Sequence, residues 1–289
     1  LDTTHTVMFT GTDIKDHAGQ GIAGGDFDGD GYGDLLITAH HNDDGASGAG
    51  IGYIFYGPVT DVGTLSLADA DSSYEGYGAE DYAGWSASMQ GDIDGDGCDD
   101  IMVGAPQDPL ADPSSSTSAG EGYVFLIPGS QVSSDCSGAG DFILYYGEED
   151  EDGAGYSLGF VDTDGDGDSE VLIGAPQADL GGGSKSGAVY LSNGDESGLV
   201  ELGTDMVSFT GESASDRAGW AVSGSGDTND DGYDDILISA WQDDDGATNG
   251  GAVYVFLGPV AISDTEISLS TADAKLIGGS TNDGAGYDV

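Results

Sequence analysis

Residues 16–39 read DHAGQGIAGGDFDGDGYGDLLITA, and this stretch decides the fold. It carries three signals in order: Asp16-His17-Ala18-Gly19, an acidic loop from Asp26 to Asp34, and the apolar run Leu35-Leu36-Ile37. Asp-x-Ala-Gly returns at Asp81–Gly84, Asp152–Gly155, Asp216–Gly219 and Asp283–Gly286. The acidic loop returns at Asp92, Asp162 and Asp227, so successive loop starts lie 66, 70 and 65 residues apart. Each loop runs into a β-type segment, the later ones being Ile101-Met102-Val103, Val171-Leu172-Ile173 and Ile236-Leu237-Ile238. A second strand-like run follows at Ile51–Tyr56, Gly122–Ile127, Ala188–Leu191 and Ala252–Leu257, and a third precedes the next unit, as in Val207–Gly211. The run before each acidic loop mixes small and apolar residues, as in Trp220-Ala221-Val222, which suits an inner strand close to an axis. No 3.6-residue period survives across a unit, so no significant helix is expected. Four short strands per unit, repeated in tandem, are the sequence form of propeller blades. The chain reads as all-β, a single β-propeller region over 1–289 with units 9–73, 74–144, 145–208, 209–275 and a partial fifth at 276–289.

The acidic loops point to calcium. Loop one offers Asp26, Asp28, Asp30 and Asp34 at positions 1, 3, 5 and 9, with Gly31 at position 6. The equivalents are Asp92, Asp94, Asp96 and Asp100, then Asp162, Asp164, Asp166 and Glu170, then Asp227, Asn229, Asp231 and Asp235. Alternating oxygens on a tight loop converge on one centre, and Ca²⁺ takes six to eight oxygens, so position 7 adds its backbone carbonyl from Tyr32, Cys98, Asp168 or Tyr233. Mg²⁺ fits less well, because it demands octahedral geometry and keeps waters. An EF-hand needs a bidentate Glu at position 12, where this chain has Ile37, Val103, Ile173 and Ile238. Asp and Gly also dominate plain solvated turns, but four copies at a fixed place in the repeat favour four Ca²⁺ sites. Asn229 leaves loop four one carboxylate short, and so the weakest.

These residues resemble the FG-GAP repeats of the integrin α-subunit β-propeller and its bacterial relatives. The resemblance rests on Phe-Thr-Gly at 9–11 and 209–211, the Asp-rich loops, Gly104-Ala105-Pro106 and Gly174-Ala175-Pro176, and Gly-Ala-Val-Tyr at 187–190 and 251–254. Ala39-His40 and Ala240-Trp241 depart from the Ala-Pro pattern. The resemblance implies ligand binding by loops on one propeller face, calcium loops on the other, and seven blades. Phe9-Thr10-Gly11 aligns with Leu276-Ile277-Gly278 at an offset of 267, so the chain is expected to be a fragment of a longer array, with an unpaired strand edge that promotes self-association.

The 289 residues include 55 acidic and 4 basic ones, a formal charge of −51. So few cations make no footprint for nucleic-acid phosphates or anionic lipid, and no apolar run is long enough for a membrane span. Four Ca²⁺ would leave −43, so the remaining acid, including Glu148–Asp152, is expected largely on solvated surface and best tolerated in a saline extracellular medium. The chain begins at Leu1 without a signal peptide, implying cleavage or a longer precursor. Cys98 and Cys136 lie in loops and are either a disulfide or two unrelated thiols.

No nucleophile elbow, Walker loop or HExxH is present, so no enzyme is expected. His40 and His41, as adjacent strand-end residues, should point to opposite faces and not share a metal. Trp85 and Trp220, at equivalent positions, suit inner-strand packing, and Trp241 is the better exposed contact. The function expected is a calcium-stabilised extracellular interaction or adhesion module with a protein or glycan ligand. The alternatives are a non-catalytic accessory domain of a secreted enzyme and a structural element of a surface layer or filament.

Overall fold

Glycine, alanine and serine crowd the strands nearest the axis because neighbouring sheets meet there backbone to backbone. A Cβ built at Gly21 would lie 3.1 Å from that of Ala87 on the next sheet. The computed structural model describes residues 7–60, 63–106, 121–129, 136, 141–149, 151–224, 226–262 and 265–289. β1 (Val7–Thr10) precedes the first sheet, which comprises β2 (Ala18–Gly25), β3 (Asp34–Ala39), β4 (Ile51–Phe55) and, after β5 (Gly63–Ser66), β6 (Ser72–Glu75). The second sheet is β7 (Ser86–Gly91), β8 (Asp100–Ala105), β9 (Tyr123–Ile127) and β10 (Ile143–Tyr146). The third is β11 (Ser157–Val161), β12 (Glu170–Ala175) and β13 (Ala188–Ser192), followed past β14 (Gly198–Glu201) by β15 (Val207–Thr210). The fourth is β16 (Ala218–Ser223), β17 (Ile236–Ala240) and β18 (Ala252–Phe256), followed past β19 (Thr265–Ser268) by β20 (Ala274–Ile277). Each sheet is an antiparallel meander from inner to outer strand.

β2 packs on β7, β7 on β11, and β11 on β16, giving an open arc of four blades that is not closed on itself. Apolar residues of the middle strands fill the spaces between blades. Phe27, Leu36 and Ile54 of the first meet Met89, Ile101 and Phe125 of the second, and Leu172 and Val189 of the third meet Ile236 and Tyr254 of the fourth. Burying each such side chain is worth roughly 1.5–3 kcal/mol, so adjacent blades hold one another. No α-helix occurs among the described residues, and none is long and apolar enough to cross a membrane.

The repeat has a fifth strand that sequence periodicity does not reveal. β5, β14 and β19 sit in the connections between third and fourth strands and pair in parallel with β1, β10 and β15 respectively. Each belt strand leads into a leucine, Leu67, Leu202 or Leu269, that is 1 % exposed. The link to the next blade is built on Gly50, Gly122, Gly187 and Gly251. All have φ near +80°, and their bridges to Ala83, Ala154, Ala218 and Ala285 of the Asp-x-Ala-Gly motif leave no room for a Cβ.

Candidate metal centres

The acidic loops join the inner strand of each blade to its second strand, and the same internal hydrogen bonds shape all four. The carboxylate at position 1 accepts the amide of the position-6 glycine, at 2.9 Å for Gly31, 2.7 Å for Gly97, 3.2 Å for Gly167 and 2.8 Å for Gly232. Position 5 accepts the amide two residues on, from Tyr32, Cys98, Asp168 and Tyr233 at 2.8–3.1 Å. Position 9 reaches back across the loop to accept the amide at position 2, from Phe27, Ile93, Thr163 and Thr228 at 2.6–2.9 Å. In three blades its other oxygen accepts a second amide, from Gly57 to Asp34, Gly129 to Asp100 and Gly258 to Asp235. Asp34, Asp100 and Asp235 therefore pin the loop to the outer part of the blade, a structural duty the ligand spacing alone does not reveal.

Carboxylate oxygens converge within 4.8 Å of one another in Asp26, Asp28 and Asp34, in Asp92, Asp94 and Asp96, and in Asp162, Asp164 and Asp166. Asp26 Oδ1 is buried with no hydrogen-bond partner in the protein, although buried oxygens are nearly always partnered. Such a set suits a hard divalent cation, which would supply the missing contact and offset the repulsion among the acids. Asp30 Oδ1 holds the Tyr32 amide. In loop four, Asn229 spends both side-chain atoms on Asp231, accepting its amide at 2.9 Å and donating Nδ2 to Oδ2 at 2.8 Å. Burial raises the carboxyls of Asp34 and Glu170 and pushes Asp100 up to about 7 against the pull of the Ile93 and Gly129 amides, so an ion arriving there near neutral pH competes with a proton. Asp227 goes the other way, lowered by the Gly232 amide.

Successive loops interlock. The position-8 amide of one donates to the position-1 carbonyl of the loop before it, Asp99 to Asp26 at 3.0 Å, Ser169 to Asp92 at 2.7 Å and Asp234 to Asp162 at 2.9 Å. The position-7 side chain covers a glycine of the preceding loop. A Cβ at Gly29 would stand 2.5 Å from Cys98 Sγ, one at Gly95 2.5 Å from Asp168 Oδ1, and one at Gly165 3.0 Å from Tyr233. Cys98 is in turn joined to Cys136 by a disulfide, the alternative the sequence left open.

At the opposite end of the strands the Asp-x-Ala-Gly carboxylates serve the backbone. Asp81, Asp152, Asp216 and Asp283 accept amides from Gly78, Glu149, Ser213 and Ser280 at 2.6–3.2 Å. Asp16, Asp81, Asp152 and Asp216 are buried. Within Glu148–Asp152, expected largely on solvated surface, Glu149 and Glu151 are exposed, Asp152 closes a turn inside the fold, and Asp150 lies outside the described residues. Trp85, Tyr156, Trp220 and Tyr287 form a ladder with ring centroids 4.5–5.6 Å apart on an axial cavity of about 830 Å³, the first three half-buried and Tyr287 exposed. Trp241 is not the exposed contact expected of it. The turn after β17 folds it onto Trp220 at 4.9 Å, and its indole nitrogen is buried. The histidines also depart from expectation. His40 and His41 lie in the turn past β3, where strand alternation no longer applies, and both rings meet His17 of the first Asp-x-Ala-Gly motif.

The FG-GAP repeat model matches residues 18–55, 84–125 and 154–192. Among curated proteins the chain is 28 % identical over 257 residues to integrin alpha pat-2 of Caenorhabditis briggsae, covering 85 % of this chain and 19 % of that protein. It is 29 % identical over 230 residues to integrin alpha-5 of Xenopus laevis, covering 77 % of this chain and 20 % of the relative. Integrin alpha-PS2 of Drosophila melanogaster is 31 % identical over 207 residues, covering 66 % and 12 %. The chain thus spans a fifth or less of the length of these relatives.

Proposed function

We propose that this FG-GAP repeat array is a calcium-stabilised extracellular interaction module, non-enzymatic, whose acidic loops each hold one Ca²⁺ and whose exposed loops engage a protein or glycan ligand. The observation that carries the calcium reading is the converging carboxylate set with a buried, unpartnered Asp26 Oδ1. The integrin α relatives support the adhesion reading. The ligands on this reading are Asp26, Asp28, Asp30 and Asp34 with the Tyr32 carbonyl, and the matching residues of the other three loops. When bound, the ion supplies charge neutralisation. The chain's own residues fix its place, through position-1 and position-5 carboxylates already oriented by loop amides and, in three of the loops, a position-9 aspartate anchored to the outer blade.

Calcium counting on the metal-stripped chain tests this. Four ions should bind, Asp28→Ala should lose one, and Asp44→Ala, exposed and outside the pattern, should lose none. Equal losses from the two would overturn the ligand assignment. Glycan-array and pull-down binding in calcium against chelator then reads whether a ligand is held.

A further inference from the structure

Three of the four histidines of this chain meet at one point of the first blade, well away from the acidic loops. His17 occupies the second position of the Asp-x-Ala-Gly motif, where the other copies carry Tyr82, Gly153, Arg217 and Gly284. His40 and His41 follow β3, where the third blade has Pro176-Gln177 and the fourth Trp241-Gln242. The fold therefore requires imidazole at none of these places, and only the first blade has it at all three. The His41 amide donates to the Asp16 carbonyl at 3.2 Å, which fastens the turn beside His17. Ring centroids are 4.4 Å apart for His40 and His41, 4.6 Å for His17 and His41, and 5.2 Å for His17 and His40.

We propose that His17, His40 and His41 form a site for a zinc-class divalent cation, separate in place and chemistry from the calcium loops. One ligating nitrogen from each lies within 4.8 Å of the others. His40 is 3 % exposed, and its Nδ1 has no hydrogen-bond partner. Packing against Trp85, 5.3 Å away and edge-on, explains the ring's position but leaves that nitrogen unsatisfied. A cation coordinated by imidazole would satisfy it. Zn–N bonds of about 2.0–2.1 Å put ligand nitrogens about 3.4 Å apart, so closing the site takes only modest side-chain rotation. Imidazole nitrogen favours zinc and its transition-metal neighbours, whereas Ca²⁺ takes oxygen, so the two sites sort metals by donor type. A cavity of about 270 Å³ lined by His41, Asp16, Asp43 and Tyr82 adjoins the cluster and leaves room for water on the remaining position of a three-histidine ion.

The experiment titrates ZnCl₂ into the calcium-saturated chain by calorimetry, alongside imidazole ¹H–¹⁵N NMR. The expected result is one zinc per chain, with three imidazole resonances shifted and the fourth unmoved. Excess Ca²⁺ should not displace the zinc. His17→Asn suits the exposed left-handed site at φ 57° and should leave calcium binding intact. It should weaken zinc on the order of 100-fold, the upper end of what losing even an outer partner costs a metal site. Zinc affinity unchanged in that variant, imidazoles silent at saturating zinc, or zinc displaced by calcium would each overturn the proposal.

Discussion

The two ends of the blades use aspartate in opposite ways. At the loop end, acids crowd together and leave the Asp26 Oδ1 oxygen buried without a protein partner. At the Asp-x-Ala-Gly end, the motif acids of the second, third and fourth blades each accept a backbone amide and close a turn, while Asp16 of the first accepts from the Thr12 hydroxyl and the Asn42 amide group. On the proposed reading the first arrangement opposes folding until a cation offsets its repulsion, and the second supports folding as it stands. One pair makes the contrast sharp: burial pushes Asp100 of a loop and Asp152 of a motif alike up to about 7. Similar proton affinity does not mean similar function.

The largest effect expected is that of removing calcium. Occupancy at a hundred times Kd is worth about 2.7 kcal/mol per site, so chelation across four loops should lower the thermal midpoint by on the order of 20 °C in calorimetry. An unmoved midpoint would erase the contrast between the ends. Next in size is the same substitution made at each end. Asp100→Asn should cost one calcium ion and about 2–3 kcal/mol of calcium-dependent stability. Asp152→Asn keeps the acceptor for Glu149 and removes only a charge that burial disfavours, so denaturant melts in saturating calcium should show it within about 1 kcal/mol of the parent.

A smaller effect concerns pH. Asp100, Asp152 and Asp216 all have carboxyls raised to about 7 by burial, well above their unfolded values. Between the two values the folded chain holds protons that the unfolded chain has released. Their contribution is therefore present at low pH and lost as pH rises through about 7. The metal-free protein should melt higher at pH 5 than at pH 8. Calcium, which needs ionised loops, should narrow that difference or reverse it. A metal-free melt that rises with pH would contradict this. The smallest effect expected is that of NaCl at saturating calcium, which should raise the midpoint by a few degrees as it screens exposed acid outside both ends. A flat response would remove the saline-setting hypothesis.

Periodicity made the blades, the loops and the ligand spacing legible, because each depends on residues close in sequence. What escaped depends on residues that meet only after folding. The belt strands are four residues long and mostly exposed, so Gly198–Glu201 carries too little pattern to stand out, although its buried successor Leu202 matches Leu67 and Leu269. His17 is far in sequence from His40, and only the turn after β3 brings their rings together. The position-9 acids were legible by spacing as candidate ligands but not as anchors, since their second partners, such as Gly57 and Gly258, lie a whole strand away.

The interlock between loops has a consequence for how such chains change length. Position 7 holds cysteine, aspartate and tyrosine in the second, third and fourth loops, yet each covers a residue of the same type, Gly29, Gly95 or Gly165. The contact demands volume rather than any one chemistry, and the amide-to-carbonyl bond beside it uses only backbone. A duplicated unit is therefore born able to dock on its parent. Tandem copying can add or delete whole blades without a matching change elsewhere, which makes blade number an evolutionarily cheap quantity to vary in this architecture.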